Sequence, residues 1–429
     1  MFNSSVTEHM KVPNVNHVIN ILGTSYDAIR DHEARRDDEN SLFWFTYRYD
    51  FPEIVPYRIT TDAGWGCMLR SAQMMLAQTL RMHYKNRQWV PSRSLAQRRT
   101  DMFTVKLMSW FADYPSKAEC TFSLHNMVAT GLTKHETLPG EWYGPSKVSY
   151  VIRDLCIMHA ELQAKVKQSP NSEMNRPMFR VHVVPQGTIY RDEILSLMTK
   201  NQDQSILVEQ HDLVLVSHPL DPIYLAMDET NIRRSLPWDT SLLLLIPLRL
   251  GLQSLNQDYT LSLAHMFSLR QSVGVLGGRP RGARWFYGAN SDGSMLYGLD
   301  PHTIQPCPEK RKVKLPNGQI RHVISLTTEY LSSVHTTNPE SITFNRLDPS
   351  LSLGFYCRDE NDFDNLLDEF QKWKKLNPNL PEMFTVADKV PDYSTNVPNA
   401  MKSMLSMSLT EDIDEIKDDI ATDDDYVFL

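Results

Sequence analysis

Cys67 follows Thr61-Asp62-Ala63-Gly64-Trp65-Gly66 and precedes Met68-Leu69-Arg70-Ser71-Ala72-Gln73, so one thiol stands where two glycines give way to a helical pattern. In the first turn of a helix the unpaired backbone N–H groups carry partial positive charge and favour the thiolate, the nucleophilic form of cysteine. Such a nucleophile needs a base. His302 closes Tyr297-Gly298-Leu299-Asp300-Pro301-His302. At a strand end, residues 300 and 302 project to one face, and Pro301 restricts the backbone between them. The Asp300 carboxylate can then orient the imidazole and stabilise the imidazolium that pairs with a thiolate. Each stretch by itself also has a plainer reading: a small buried cysteine, and a turn carrying a solvated histidine.

The elements that must position these groups follow from periodicity. Leu69, Ala72, Leu76, Leu80 and His83 recur at three- and four-residue spacing, and Met68, Met75 and Met82 make a second stripe, which predicts a largely buried helix starting at Cys67. Residues 242–248 read as a buried strand, 255–269 as a helix, and 273–276, 283–287 and 294–299 as strands, the last delivering Asp300 and His302. Leu351, Leu353, Phe355 and Cys357 alternate as a strand, and Phe363, Leu366, Leu367, Phe370 and Trp373 share one helix face. Residues 101–111 have helical spacing, and Ser146 reads as the N-cap of a helix over 148–158. Residues 180–184 form a strand in which His182 is structural, and Lys310 to Lys314 read as a short basic surface loop. Gln73, six positions into the helix, points away from Cys67 and is assigned no catalytic role.

Composition sets the outer bounds. A chain of 429 residues with 41% apolar residues can bury a sizeable core, and its formal net charge of −8 leaves no general basic footprint for nucleic acid. Five cysteines, at 67, 120, 156, 307 and 357, are odd in number and far apart with no CxxC pair. That argues against a disulfide framework and a zinc finger and fits a reducing cytoplasm, while acyl transfer by a thiol and an imidazole needs no metal or other cofactor. No secretory leader is expected in residues 1–25, and Pro247 breaks the longest apolar run, so no membrane span is expected.

Phe45-Thr46-Tyr47-Arg48, the Thr61 to Arg70 block, Trp142-Tyr143-Gly144-Pro145, the Leu244 to Gly251 block, Gly277-Gly278-Arg279-Pro280 and Asp300-Pro301-His302-Thr303 occur in this order. From about residue 40 to about 375 this series resembles the autophagins, the autophagy cysteine proteases that process ubiquitin-like modifiers of the GABARAP type. The resemblance implies an α+β, papain-like fold with an antiparallel sheet packed on the nucleophile-bearing helix. It implies Cys67 as nucleophile, His302 as general base, Asp300 as its orienting acid, and Tyr47 as an oxyanion donor beside the Cys67 N–H. Trp142 would cover the groove, and a loop of Arg279, Pro280, Arg281 and Gly282 would face it, leaving a slot that admits only glycine at the scissile position. The activity so implied is that of an endopeptidase that matures modifier precursors and releases phosphatidylethanolamine conjugates, with transient contact to membranes bearing lipidated modifier and a monomeric state.

The polar start of the chain and the prolines at 378, 381, 391 and 398 suggest a flexible N-terminal arm over 1–40, a protease domain over 41–376 and a flexible acidic tail over 377–429. The resemblance adds that the arm can cover the site and that 186–235 can hold an auxiliary subdomain. Asp31 to Asn40 reads as a solvated charged segment. The tail ends in Asp423-Asp424-Asp425-Tyr426-Val427-Phe428-Leu429, similar to the short linear motif that binds autophagy modifiers by strand addition, with Tyr426 and Leu429 in apolar pockets. Ser71 stands where several autophagins carry a second cysteine. Thr61-Asp62 and Val183-Val184-Pro185-Gln186 look like the family's less active branch. Two alternatives therefore stand beside the protease: a low-activity modifier-binding scaffold, and a cysteine hydrolase of unrelated substrate on the same fold.

Overall fold

The computed structural model describes residues 18–92, 94–165, 174, 176–199, 238–314, 320–336 and 339–391. The motif Tyr426, Val427, Phe428 and Leu429 and most of 186–235 lie outside these residues.

Leu242–Arg249 is hydrophobic at nearly every position because both of its faces are covered. Leu243 and Leu245 enter one core, while Leu242, Leu244 and Ile246 enter another on the opposite face. Its antiparallel neighbour Ser350–Cys357 divides in the same way, with Tyr356 on the first face and Leu351, Leu353, Phe355 and Cys357 on the second. Among the described residues the sheet runs Glu340–Ile342, Leu296–Leu299, Arg284–Asn290, Ser272–Gly277, Ser350–Cys357, Leu242–Arg249, Arg180–Val183. Its pairings are antiparallel except the last, which is parallel.

Helix Cys67–Tyr84 lies across the first face, and all of its residues are buried. The sheet covers one side of it, and Met102–Phe111, Leu124–His135 and Pro145–Lys165 cover the other. A Cβ at Gly354 would stand 2.9 Å from Met75 Sδ, so the strand's glycine sets how closely this helix approaches. The second face carries Arg191–Thr199, Thr260–Met266 and Glu360–Leu376. This is the α+β architecture of the papain-like class.

Several boundaries move. Residues 18–40, expected in a flexible arm, are folded: Val18–Ile21 pairs with Arg284–Asn290 and buries Ile19 and Ile21, and His32–Asn40 is a helix. The charged segment is not wholly solvated, because Asp38 is buried under Arg87, at 2.6 and 2.9 Å, and the Tyr26 hydroxyl, at 2.9 Å. Those partners are distant in sequence and leave no trace in the local composition. At the other end, residues 377–391 belong to the packed unit, since Thr385–Ala387 pairs in parallel with Thr188–Tyr190. Ser146 is not an N-cap, because the helix starts at Pro145, where a missing N–H costs nothing. Leu124–His135, capped by Ser123, is a further helix beyond those expected. Glu309–Lys314 is a strand paired with Ile320–Ser325 rather than a loop. The expected long helix over 255–269 is a 3-10 turn at Gln257–Tyr259 running into Thr260–Met266.

Candidate active site

The helix carrying Cys67 begins after a tight turn that one carboxylate organises. The N–H groups of Trp65 and Gly66 donate to the Asp62 carbonyl at 3.2 and 2.9 Å. A Cβ on Gly66 would fall 2.4 Å from Asp62 Oδ2, so glycine is required for the chain to pass. The carboxylate itself accepts the Arg48 N–H at 2.7 Å and Arg70 Nε and Nη2 at 2.7 and 3.1 Å. Arg70 reaches onward to Asp113 at 2.9 Å and to Gln73 Oε1 at 3.1 Å. Gln73 thus serves the buried ion cluster, and its amide donates to the Phe122 carbonyl at 2.8 Å. Asp62 in this way fastens the strand holding Tyr47 to the helix that starts at Cys67.

Asp300 and His302 arrive from the end of Leu296–Leu299. The Asp300 Oδ1 accepts the His302 N–H at 3.0 Å and is also bonded to His302 Nδ1. This bond leaves Nε2 as the ring's free edge. Trp44 Nε1–H donates to the Asp300 carbonyl at 2.7 Å, and Arg284 Nη2 donates to Asp300 Oδ2 at 3.0 Å. The Tyr47 N–H bonds the Pro301 carbonyl at 2.9 Å, and its ring meets the His302 ring edge-on with centroids 5.4 Å apart. The Tyr47 hydroxyl and His302 Nε2 are buried without a well-formed hydrogen bond, and both interact with the Cys67 thiol.

Electrostatics separate this cluster from the rest of the interior. Burial pushes the Cys67 thiol up, but His302, the Ala283 N–H and Tyr47 outweigh it and leave the thiol more acidic than usual. Asp300 and then Cys67 raise His302 to about 9 against the effect of burial. Burial raises Asp300, yet the bonds from His302 and the charge of Arg284 bring it down to about 2. Burial dominates the opposite outcome at His83, His159 and His335, each lowered to about 3, and it also lowers His182. Those histidines are neutral core residues. A thiol that ionises easily beside an imidazole that holds its proton is an ion pair suited to acyl transfer.

Trp142 is half-buried and lines a cavity of about 580 Å³ with Gly144, Pro145, Leu248, Gly278 and Pro280. Arg279, Pro280 and Arg281 are exposed. The Gly282 N–H closes their turn on the Arg279 carbonyl at 2.8 Å, and Arg281 sits at φ +63°. Gly278 is at φ +123°, where a Cβ would lie 2.4 Å from the Gly282 carbonyl oxygen. The structure therefore places Trp142 and Pro280 on one cavity. Cys67 and His302 are not among the residues lining it, and the loop meets the thiol through Ala283. Nothing in their local spacing marks Arg284, Trp44 and Ala283 as parts of the site, and Asp62 and Arg70, though inside the block that carries the resemblance, show their role only through their contacts.

A papain-like fold that sets an acidic thiol at a helix N-terminus against a carboxylate-oriented histidine defines a cysteine peptidase. Comparison with known proteins gives the family: the Peptidase C54 catalytic domain matches residues 32–369, and the chain belongs to that family, the autophagins. It is 30% identical to the cysteine protease ATG4B of Gallus gallus over 395 residues, 91% of this chain and 88% of that one. Against the cysteine protease ATG4A of Mus musculus it is 30% identical over 385 residues, covering 89% and 84%. With the cysteine protease ATG4C of Mus musculus the identity is 26% over 407 residues, covering 82% and 75%. The chain is a cysteine-type peptidase of the autophagy pathway.

Proposed function

We propose that this peptidase cleaves after the C-terminal glycine of GABARAP-type ubiquitin-like modifiers, maturing their precursors and releasing their phosphatidylethanolamine conjugates. The observation that carries the reading is the Cys67 thiol at the start of its helix, with His302 Nε2 and the Tyr47 hydroxyl, neither held in a well-formed hydrogen bond, both interacting with it. The Cys67 thiolate attacks the glycine carbonyl, and the developing oxyanion takes hydrogen bonds from the Tyr47 hydroxyl and the Cys67 N–H. As the tetrahedral adduct collapses, His302 gives its proton to the leaving amine and the carbonyl–nitrogen bond breaks, leaving a thioester. Water then loses a proton to His302, attacks the thioester, and frees the glycine carboxylate and the thiol. Delipidation is the same reaction with the amine of phosphatidylethanolamine as leaving group.

The cavity between Trp142 and Pro280 is the entry proposed for the modifier's C-terminal segment, and Tyr426 to Leu429 its second attachment. Five free cysteines accord with work in the cytosol. The test is cleavage of a modifier with a C-terminal extension by the intact chain, by Cys67→Ala and by His302→Ala. Scission after the glycine, lost in both variants, supports the proposal. Binding without scission by the intact chain would replace it with the modifier-binding scaffold.

A further inference from the structure

We propose that Arg284 is a positioning residue that couples the Gly278–Gly282 loop to the Asp300 carboxylate, so that the loop facing Trp142 and the acid orienting His302 are held as one unit. This rests on the cysteine-peptidase reading and adds a determinant to it. The guanidinium bonds in three directions: Nη1 to the Gly282 carbonyl at 3.1 Å, Nη2 to Asp300 Oδ2 at 3.0 Å, and Nε to Glu340 Oε2 at 2.7 Å. With Oδ2 occupied by Arg284, Oδ1 is the oxygen presented to His302, and the broad carboxylate torsion is pinned from both sides.

Strand pairing brings these residues together independently. Leu299 is opposite Trp285, and Gly298 is opposite Glu340, so Arg284, Asp300 and Glu340 share one end of three adjacent strands. On the loop side, the Ala283 N–H helps to make the Cys67 thiol acidic and Pro280 lines the cavity. A chain entering that cavity and pressing on the loop therefore acts on Gly282, and through one rigid fork on Asp300. Lysine carries its three donors on one nitrogen and cannot span acceptors that are spaced to meet three separate guanidinium nitrogens.

The experiment uses the full chain and three variants: Arg284→Ala, Arg284→Lys and Glu340→Ala, the last removing only the half-exposed outer anchor. Cys67 alkylation by iodoacetamide is followed against pH, with Cys67→Ala as background for the other thiols, together with kcat, KM and thermal unfolding. In Arg284→Ala we expect kcat for an extended modifier to fall by roughly 10- to 100-fold with KM within about threefold. The acid limb of alkylation should move to higher pH while the melting temperature is retained. Arg284→Lys should not restore kcat, and Glu340→Ala should shift both readouts in the same direction by less. An Arg284→Ala variant with the parent's kcat and alkylation profile overturns the proposal. So does one that melts early while Glu340→Ala keeps the parent profile. Alkylation needs no substrate, so it decides on Arg284 even where the modifier proves to be the wrong substrate.

Discussion

Arg70 Nε lies 2.7 Å from Asp62 Oδ2 with both side chains almost fully excluded from solvent, eight residues apart and directly beneath the turn that leads to Cys67. Asp113 completes the cluster from the opposite side. Removing the shared cation strands two buried carboxylates at once. Arg70→Met is expected to cost about 3–5 kcal/mol, measured by urea unfolding. A loss below about 1 kcal/mol would show that water replaces the guanidinium and that the turn is held by other means.

The pH dependence follows from the two shifts at the ion pair. The reactive state needs Cys67 deprotonated and His302 protonated, so the rate should rise through the lowered pKa of Cys67 and fall near pH 9, where His302 gives up its proton. Asp300→Asn should bring the alkaline limb to lower pH, because Asp300 is the main cause of the raised value. The linked stability has a definite sign. A raised folded pKa stabilises fully below the unfolded value of about 6.5, and this contribution is lost as pH rises through about 9. The stability difference between the parent and His302→Ala, followed by thermal unfolding from pH 6 to pH 10, should shrink with rising pH. A constant difference would contradict the assignment.

Tyr47 offers a separation of chemistry from folding. Its hydroxyl meets the Cys67 thiol and the Gly64 backbone but makes no well-formed bond, so Tyr47→Phe removes little that the fold depends on. Thermal stability should stay within about 1 kcal/mol of the parent, while kcat falls by about 10²- to 10³-fold for loss of an oxyanion donor. Unchanged turnover would remove Tyr47 from the site.

Gly66 should tolerate nothing larger. In Gly66→Ala the new Cβ meets the Asp62 carboxylate at 2.4 Å, and that carboxylate is held by three donors and has no room to retreat. The turn must shift instead, carrying Cys67 with it. We expect turnover to drop by about 100-fold or more, with a loss of about 1–3 kcal/mol in stability. Retained activity would show that the first turn of the helix relaxes freely.

Much of the site was legible because its chemistry is local. A helix start with glycines before a thiol, and an acid and a base two residues apart at a strand end, are patterns a few residues long. The buried helix was readable for a similar reason: eighteen residues covered on every side must be nearly all apolar or internally satisfied, and repeated Met and Leu show it. Residues 18–40 and 377–391 read as arm and tail because their partners come from far along the chain. Asp38 reads as solvated until Arg87 is placed on it, and Thr385–Ala387 as tail until Thr188–Tyr190 is beside it.

By itself the sequence determined the reactive residues, the helix and strands that carry them, and the class of chemistry, because periodicity and short-range spacing survive in one dimension. Only the tertiary structure decided how those residues are held. Trp44, 256 residues from Asp300, bonds its carbonyl, and Arg284 takes the carboxylate oxygen that His302 leaves free. Asp62 joins the strand of Tyr47 to the helix of Cys67 through hydrogen bonds whose direction no spacing encodes. Hydrogen bonds and ion pairs act over about 3 Å in space and are indifferent to distance along the chain.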